Sequence, residues 1–173
     1  EVLDMSKIEA GRLELDEDVV HVGELIGSVI RMMASKAFGS GLKMEENLDE
    51  NLKLLRADQR LVRQILINLV TNAVKFSENG GVITISAHMT EDGRLCIIVQ
   101  DEGIGIPSDR IQQALEPFGQ VSDKADNAHQ RGTGLGLPLA KAMIELHGGT
   151  LELESALGEG TKVSIFFPDH RVI

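Results

Sequence analysis

The chain has 173 residues, 42% of them hydrophobic, which is enough for one domain with a real core; aromatics are only 3%, so Leu, Ile, Val, Met and Ala must build that core. A formal charge of −10 argues against a binder of the nucleic-acid backbone, which needs a basic face. A single cysteine, Cys96 in the apolar run Leu95 to Val99, excludes an internal disulfide or thiolate metal cluster and reads as a buried core residue in a reducing, cytoplasmic setting.

In chain order, residues 1–10 read as the end of a helix, with Leu3, Met5 and Ile8 apolar and Gly11 as its stop. Leu13-Glu14-Leu15 alternates like a short strand. Val22 to Phe38 carries its apolar residues at helical spacing, and Gly39-Ser40-Gly41 ends it. Leu42 to Leu48 and Leu52 to Arg56 read as two strands around an Asp49-Glu50-Asn51 turn. A long helix is predicted from Gln59 to Phe76, broken by Gly80-Gly81. Val82 to Ile85 and Leu95 to Val99 predict a hairpin turning at Glu91-Asp92-Gly93. A short helix to about Leu115 and a polar stretch from Ser122 to Arg131 come next. A Gly-rich segment opens a helix ending near His147, and Thr150 to Ser155 with Lys162 to Phe167 form a last hairpin around Gly158-Glu159-Gly160. Three main helices with a mixed sheet of largely consecutive strands point to a two-layer α/β sandwich. No apolar run approaches the roughly 18 residues of a membrane span, and no signal peptide is present. Beginning at Glu1 inside a helical pattern, the chain reads as a fragment, with room for membrane segments upstream.

Chemistry concentrates in three places. With Gln64 as origin and 100° per residue, Lys75 falls near ~20°, Asn68 near ~40° and Asn72 near ~80°, while Ile65, Leu66, Leu69, Val70 and Ala73 occupy the opposite arc. A solvated polar face would use Glu and Lys, since asparagine is a poor interior helix former. Two asparagines one turn apart beside a lysine instead suit a hydrated divalent metal and a phosphate chain. Second, Asp101-x-Gly103-x-Gly105 leaves an apolar strand: an acceptor-only carboxylate there can take a purine exocyclic amine, and the glycines permit close backbone approach. Third, Gly132-Thr133-Gly134-Leu135-Gly136-Leu137 opens a helix whose N-terminal N–H groups make an anion site. No Gly-Lys-Ser/Thr follows, so this is not a P-loop, and a polar stretch precedes it where a dinucleotide fold would have a strand.

The order of these elements resembles the nucleotide-binding domain shared by sensor histidine kinases, gyrase, Hsp90 and MutL, the Bergerat-type fold. Asn68 to Phe76 resembles the kinase N box, Asp101 to Gly105 the G1 box, Glu116-Pro117-Phe118-Gly119-Gln120 the F box, Gly132 to Leu137 the G2 box, and Gly158-Glu159-Gly160-Thr161 the last glycine motif. Residues 1–11 resemble the tail of a dimerisation helix and its joint, leaving 12–173 as the catalytic domain. The resemblance implies Mg²⁺ and ATP as cofactors. It implies Asn72 on the metal, Asn68 beside it, and Lys75 on the phosphates, these three forming the catalytic set. Phe76 would lie along the nucleotide and Asp101 on the adenine amine, with Gly103, Gly105 and Ile106 flooring the adenine pocket and Thr161 joining it. Residues from about Leu115 to Thr133 would form a lid anchored by Phe118, with Arg131 a phosphate contact and Gly132, Thr133, Gly134, Leu135, Gly136 and Leu137 the hinge and cradle.

Where hydrolysing relatives carry a water-activating glutamate one turn before the metal asparagine, this chain has Asn68, which cannot act as a base. Phosphoryl transfer to a protein is therefore favoured over the alternatives of an ATP-hydrolysing relative or a degenerate kinase used as a binding module. The five histidines, His21, His88, His129, His147 and His170, all lack the following acidic residue of the family's phosphoacceptor. The implied partners are the protein's own dimerisation and phosphotransfer domain, within a homodimer, and a response regulator receiver domain. The resemblance leaves the parent protein free to be anchored in the inner membrane. His147, before Gly148-Gly149, reads as a cation at a helix C-terminus, and His129 as a solvated lid residue.

Overall fold

The computed structural model describes residues 2–118 and 134–173. Helix α1 (Val2–Glu9) leads through an irregular joint to β1 (Asp18–Val20), α2 (Val22–Gly39), β2 (Lys43–Leu48), β3 (Leu55–Ala57) and α3 (Gln59–Phe76). The hairpin β4 (Val82–Met89) and β5 (Leu95–Asp101) follows, then a 3-10 turn and α4 (Ile111–Ala114). Helix α5 (Gly136–Leu146) and the hairpin β6 (Thr150–Ala156) and β7 (Gly160–Phe167) complete the chain, with a final 3-10 turn.

The main sheet has the order β2-β4-β5-β7-β6, with β2 parallel to β4 and the other pairs antiparallel. Helices α2, α3 and α5 cover one face, and their apolar stripes close the core against Ile83, Ile85, Ile97, Val99, Val163 and Ile165. This is the two-layer sandwich the sequence predicts.

Several elements differ from expectation. Leu13 to Leu15 is not a strand; both leucines are held by packing against the core, and pairing begins only at Asp18. The two strands around Asp49 do not pair with each other. β2 joins the main sheet, while β3 pairs with β1 in a separate two-stranded ribbon. Strand order is therefore consecutive only within the two hairpins. Helix α3 ends at Phe76 as predicted, but the chain already turns extended at Ser77, ahead of the Gly80-Gly81 pair expected to break it.

Asp58 sets the start of α3. Its Oδ1 caps the Leu61 N–H at 3.2 Å and its Oδ2 accepts the Asp16 N–H at 3.0 Å, so one carboxylate fixes both the helix and the joint. His147 is fully buried and is no terminal cation: its Nε2 accepts the Asp58 N–H at 3.1 Å, a bond only an unprotonated nitrogen can make. Arg171 completes the knot with bonds to the His147 carbonyl, the Arg56 carbonyl and the Glu17 carboxylate.

Candidate functional site

Helix α3 lies between α2 and α5, so burial reaches well round its circumference, and even Asn68 is nearly enclosed. Gln64 donates to Asn68 Oδ1 at 2.8 Å, and Asn68 Nδ2 donates to the Gly136 carbonyl at 3.4 Å. Asn68 thus ties the middle of α3 to the start of α5. Two turns further on, the Phe76 carbonyl accepts the Ile104 N–H at 3.2 Å, tying the end of α3 to the loop after β5. Between these two ties run about 12 Å of helix, and on that stretch stand Asn72 and Lys75, both half-buried. Neither side chain makes a hydrogen bond or ion pair with a described residue. The Lys75 ammonium sits 5.1 Å from the Phe76 ring centroid, and burial lowers its pKa. A partly desolvated cation without a carboxylate is suited to an incoming anion.

One end of this stretch is acceptor-rich. Strands β5, β7 and β6 each carry an apolar inner face that ends in a polar residue at the same edge: Asp101, Thr161 and Ser155, aligned in register. Asp101 is 7% exposed, and its Oδ1 accepts the Gly103 N–H at 2.9 Å and the Thr161 N–H at 3.3 Å. Its Oδ2 makes no bond with a described residue yet is not sealed off, since Arg63 Nε is the one buried, unpartnered side-chain atom among those residues. Burial raises the Asp101 pKa, against the two backbone bonds that lower it. Gly103 and Gly105 leave room for the protein's own backbone: a Cβ on Gly103 would lie 2.2 Å from the Phe76 carbonyl oxygen, and one on Gly105 would lie 2.0 Å from that of Ala156. Ile106, half-buried, donates its N–H to Ser155.

The other end is donor-rich. Helix α5 starts without a side-chain cap, and Pro138 has no N–H, so the Gly136 and Leu137 amides stand at an uncapped N-terminus. Leu135 and Leu137 are buried and seat this end against the core. Gly134 has a left-handed φ of 73°, and its carbonyl accepts the Phe118 N–H at 3.1 Å. Phe118 is 63% exposed with φ 61°. Arg131, Gly132, Thr133 and His129 lie outside the described residues.

No group of three His, Cys, Asp or Glu able to hold a metal occurs among the described residues. A divalent ion here would rest on amide oxygens, phosphates and water, which suits Mg²⁺. A cavity of about 290 Å³ is lined by Gln100, Glu154, Glu159 and Lys162 with Ser155 and Thr161; it adjoins the Asp101 end of the site through those last two residues and contains no residue of α3 or α5. Ser155 is the residue the sequence reading missed. Its signal is a polar side chain in the inward register of Leu151 and Leu153.

The family model for the histidine kinase-, DNA gyrase B- and HSP90-like ATPases matches residues 57–171. The chain belongs to that family. A sensor-like histidine kinase of Rhizobium meliloti is 41% identical over 167 residues, covering 96% of this chain and 31% of the relative. The cell-division control histidine kinase PdhS of Brucella abortus is 37% identical over 180 residues, covering all of this chain and 17% of the relative. This chain therefore spans a third or less of these curated relatives. Full-length ShkA, solved in complex with AMPPNP, superposes with a TM-score of 0.86 at 29% identity over 96% of this chain and 34% of that one. The nucleotide-free catalytic domain of histidine kinase ThkA superposes at 0.76 with 25% identity, over 91% of this chain and 97% of that domain. What the chain matches is the catalytic ATPase domain of histidine kinases.

Proposed function

We propose that this domain binds Mg·ATP along the polar face of α3 and presents the γ-phosphate to a histidine on a dimerisation domain. The observation that carries the reading is the pair Asn72 and Lys75, polar and unpartnered among the described residues, standing between an open carboxylate oxygen and an uncapped helix N-terminus. That sequence of groups complements an amine at one end and a phosphate chain at the other.

In this reading Asp101 Oδ2 accepts from the adenine amine, with Gly103, Gly105 and Ile106 shaping the floor and Thr161 beside it. Phe76 lies along the nucleotide. Lys75 and the Gly136 and Leu137 amides receive the phosphates. Asn72 offers its amide oxygen to the metal, and Asn68 holds α5 against α3 so that donors and amide face one another. Mg²⁺, held there by the Asn72 amide oxygen, would offset the negative charge of the phosphates. Positioning and charge neutralisation supply most of the rate acceleration, and no described residue at the site is placed as a base toward water. Asn68, bonded as an amide at both ends, supports transfer over hydrolysis.

Residues 1–11 are then the end of the dimerisation helix and its joint, and 12–173 the catalytic domain. The whole protein would work as a homodimer on the cytoplasmic side, passing phosphate to a response regulator receiver domain. Among the described residues no helix is long and apolar enough to cross a membrane. The test is γ-labelled ATP given to this chain alone and to this chain joined to its dimerisation domain. Acid-labile label is expected only on the joined protein. Acid-stable label on the chain alone would mean transfer to serine or threonine and would end this assignment.

A further inference from the structure

Ser155 stands at the end of the polar row Asp101, Thr161 and Ser155, and every hydrogen-bonding capacity of its hydroxyl is in use. The Ile106 N–H donates to Ser155 Oγ at 2.7 Å. Ser155 donates its only proton to the Gly160 carbonyl at 2.8 Å. The Thr161 hydroxyl lies 2.9 Å from Ser155 Oγ. A serine hydroxyl has one proton and two acceptor sites. With that proton on Gly160, the proton between the two hydroxyls must come from Thr161. Thr161 then has nothing left to donate, and its oxygen can only accept.

We infer that Ser155 is a specificity-positioning residue, which draws the Thr161 proton away and keeps the purine end of the cleft acceptor-only, so that a 6-amino purine is selected over a 6-oxo purine. The inference rests on the ATP reading above. Asp101 contributes the other acceptor of the row, already joined to Thr161 through the Thr161 N–H. A 6-oxo purine would bring an acceptor against two acceptors, leaving partially buried polar atoms unpaired, and that mismatch is the strongest form of rejection available to a small pocket. The bond to Ile106 adds a second effect of the same hydroxyl, fixing the loop after Asp101 to β6.

Calorimetric titration with ATP and with inosine triphosphate tests this. In Ser155→Ala the Thr161 hydroxyl is free to turn its proton toward O6, so the ATP-over-ITP preference falls by about tenfold, whereas Ser155→Thr keeps the preference near the wild-type value. A purely structural role for Ser155 would weaken both nucleotides in proportion, and that result overturns the inference while leaving the ATP reading intact. A wild-type domain that binds neither nucleotide removes the ATP reading and this inference together. Should Ser155→Ala fail to fold, Thr161→Val decides: it keeps the side-chain shape without the hydroxyl, so an unchanged preference in that variant overturns the inference.

Discussion

The backbone N–H of Asp58 donates to His147 Nε2 across 89 residues of sequence. The other ring nitrogen, Nδ1, bonds the Met143 carbonyl at 2.8 Å. A ring that accepts at Nε2 and donates at Nδ1 is neutral and of one tautomer. It also packs edge-on against Phe167 at 5.7 Å. Burial lowers the His147 pKa from 6.5; the Met143 bond opposes that, the Arg171 charge adds to it, and Asp58 and Glu17 oppose it.

Acid should therefore loosen the domain through this ring. In the unfolded chain His147 takes up its proton near pH 6.5, while in the fold it resists doing so. The stabilisation is complete above that pH and is lost as pH falls below it toward the lower folded value. Melting temperature measured from about pH 8 to pH 5 is expected to fall, and to fall less steeply in His147→Gln. Equal slopes for the two proteins would assign the acid response to another group.

Cys96 is buried on β5, and burial raises its pKa to about 11. Almost no thiolate exists near neutral pH, and the thiolate is the reactive form. Alkylating reagents at about pH 8 are expected to leave the native domain unlabelled and to label it stoichiometrically in denaturant. Rapid labelling of the native form would show that β5 opens locally.

Glycine at positions 103 and 105 is required by the protein's own backbone. Gly105 has φ 72°, and its missing Cβ faces the Ala156 carbonyl, while that of Gly103 faces Phe76. Gly105→Ala is expected to cost on the order of 1–3 kcal/mol without any nucleotide present. A normal apo melting temperature with weakened ATP binding would mean that Gly105 serves the nucleotide and not the apo backbone.

Much of this molecule was legible in its sequence for identifiable reasons. Helix α3 carries an uninterrupted amphipathic pattern, so its limits, Gln59 and Phe76, were read correctly. The hairpins β4–β5 and β6–β7 announce themselves by alternation around Gly-containing turns. Pairing between distant segments left no such mark. Nothing local tells β3 to pair with β1 while β2 joins β4, because register is decided by the sheet each strand reaches. His147 misled for a related reason. Its sequence context is a helix end, but its partners are Asp58 and Phe167, which only the fold brings near. Ser155 was visible only through its inward register.

Asn72→Ala tests the metal end of the cleft. Alanine is the better helix former, so the apo fold is expected to keep or slightly raise its stability. The dependence of nucleotide binding on Mg²⁺ should largely disappear, since the amide oxygen offered to the metal is gone. Titrations of ATP with and without Mg²⁺ measure this. A collapsed apo fold with the metal response intact would make Asn72 a structural residue.

Asp101→Asn separates recognition from stability at the purine end. Asparagine can keep an oxygen at the Oδ1 position, accepting the Gly103 and Thr161 N–H groups as the carboxylate does. Its NH₂ then occupies the place of Oδ2, turning the open acceptor into a donor that faces the donor N–H of an adenine amine. A hydrogen bond to a charged group contributes about 1.5–3 kcal/mol, so ATP affinity is expected to fall by about ten- to a hundredfold. Apo stability should move the other way or not at all. Burial raises the Asp101 pKa, which means the fold disfavours its negative charge, and the neutral amide removes that burden. In the wild-type domain the same shift makes ATP binding weaken as pH falls and Asp101 is protonated, a dependence the Asn variant must lack. Calorimetry across pH on both proteins, beside apo melting curves, resolves the two effects. Unchanged ATP affinity in Asp101→Asn would remove this carboxylate from the nucleotide site.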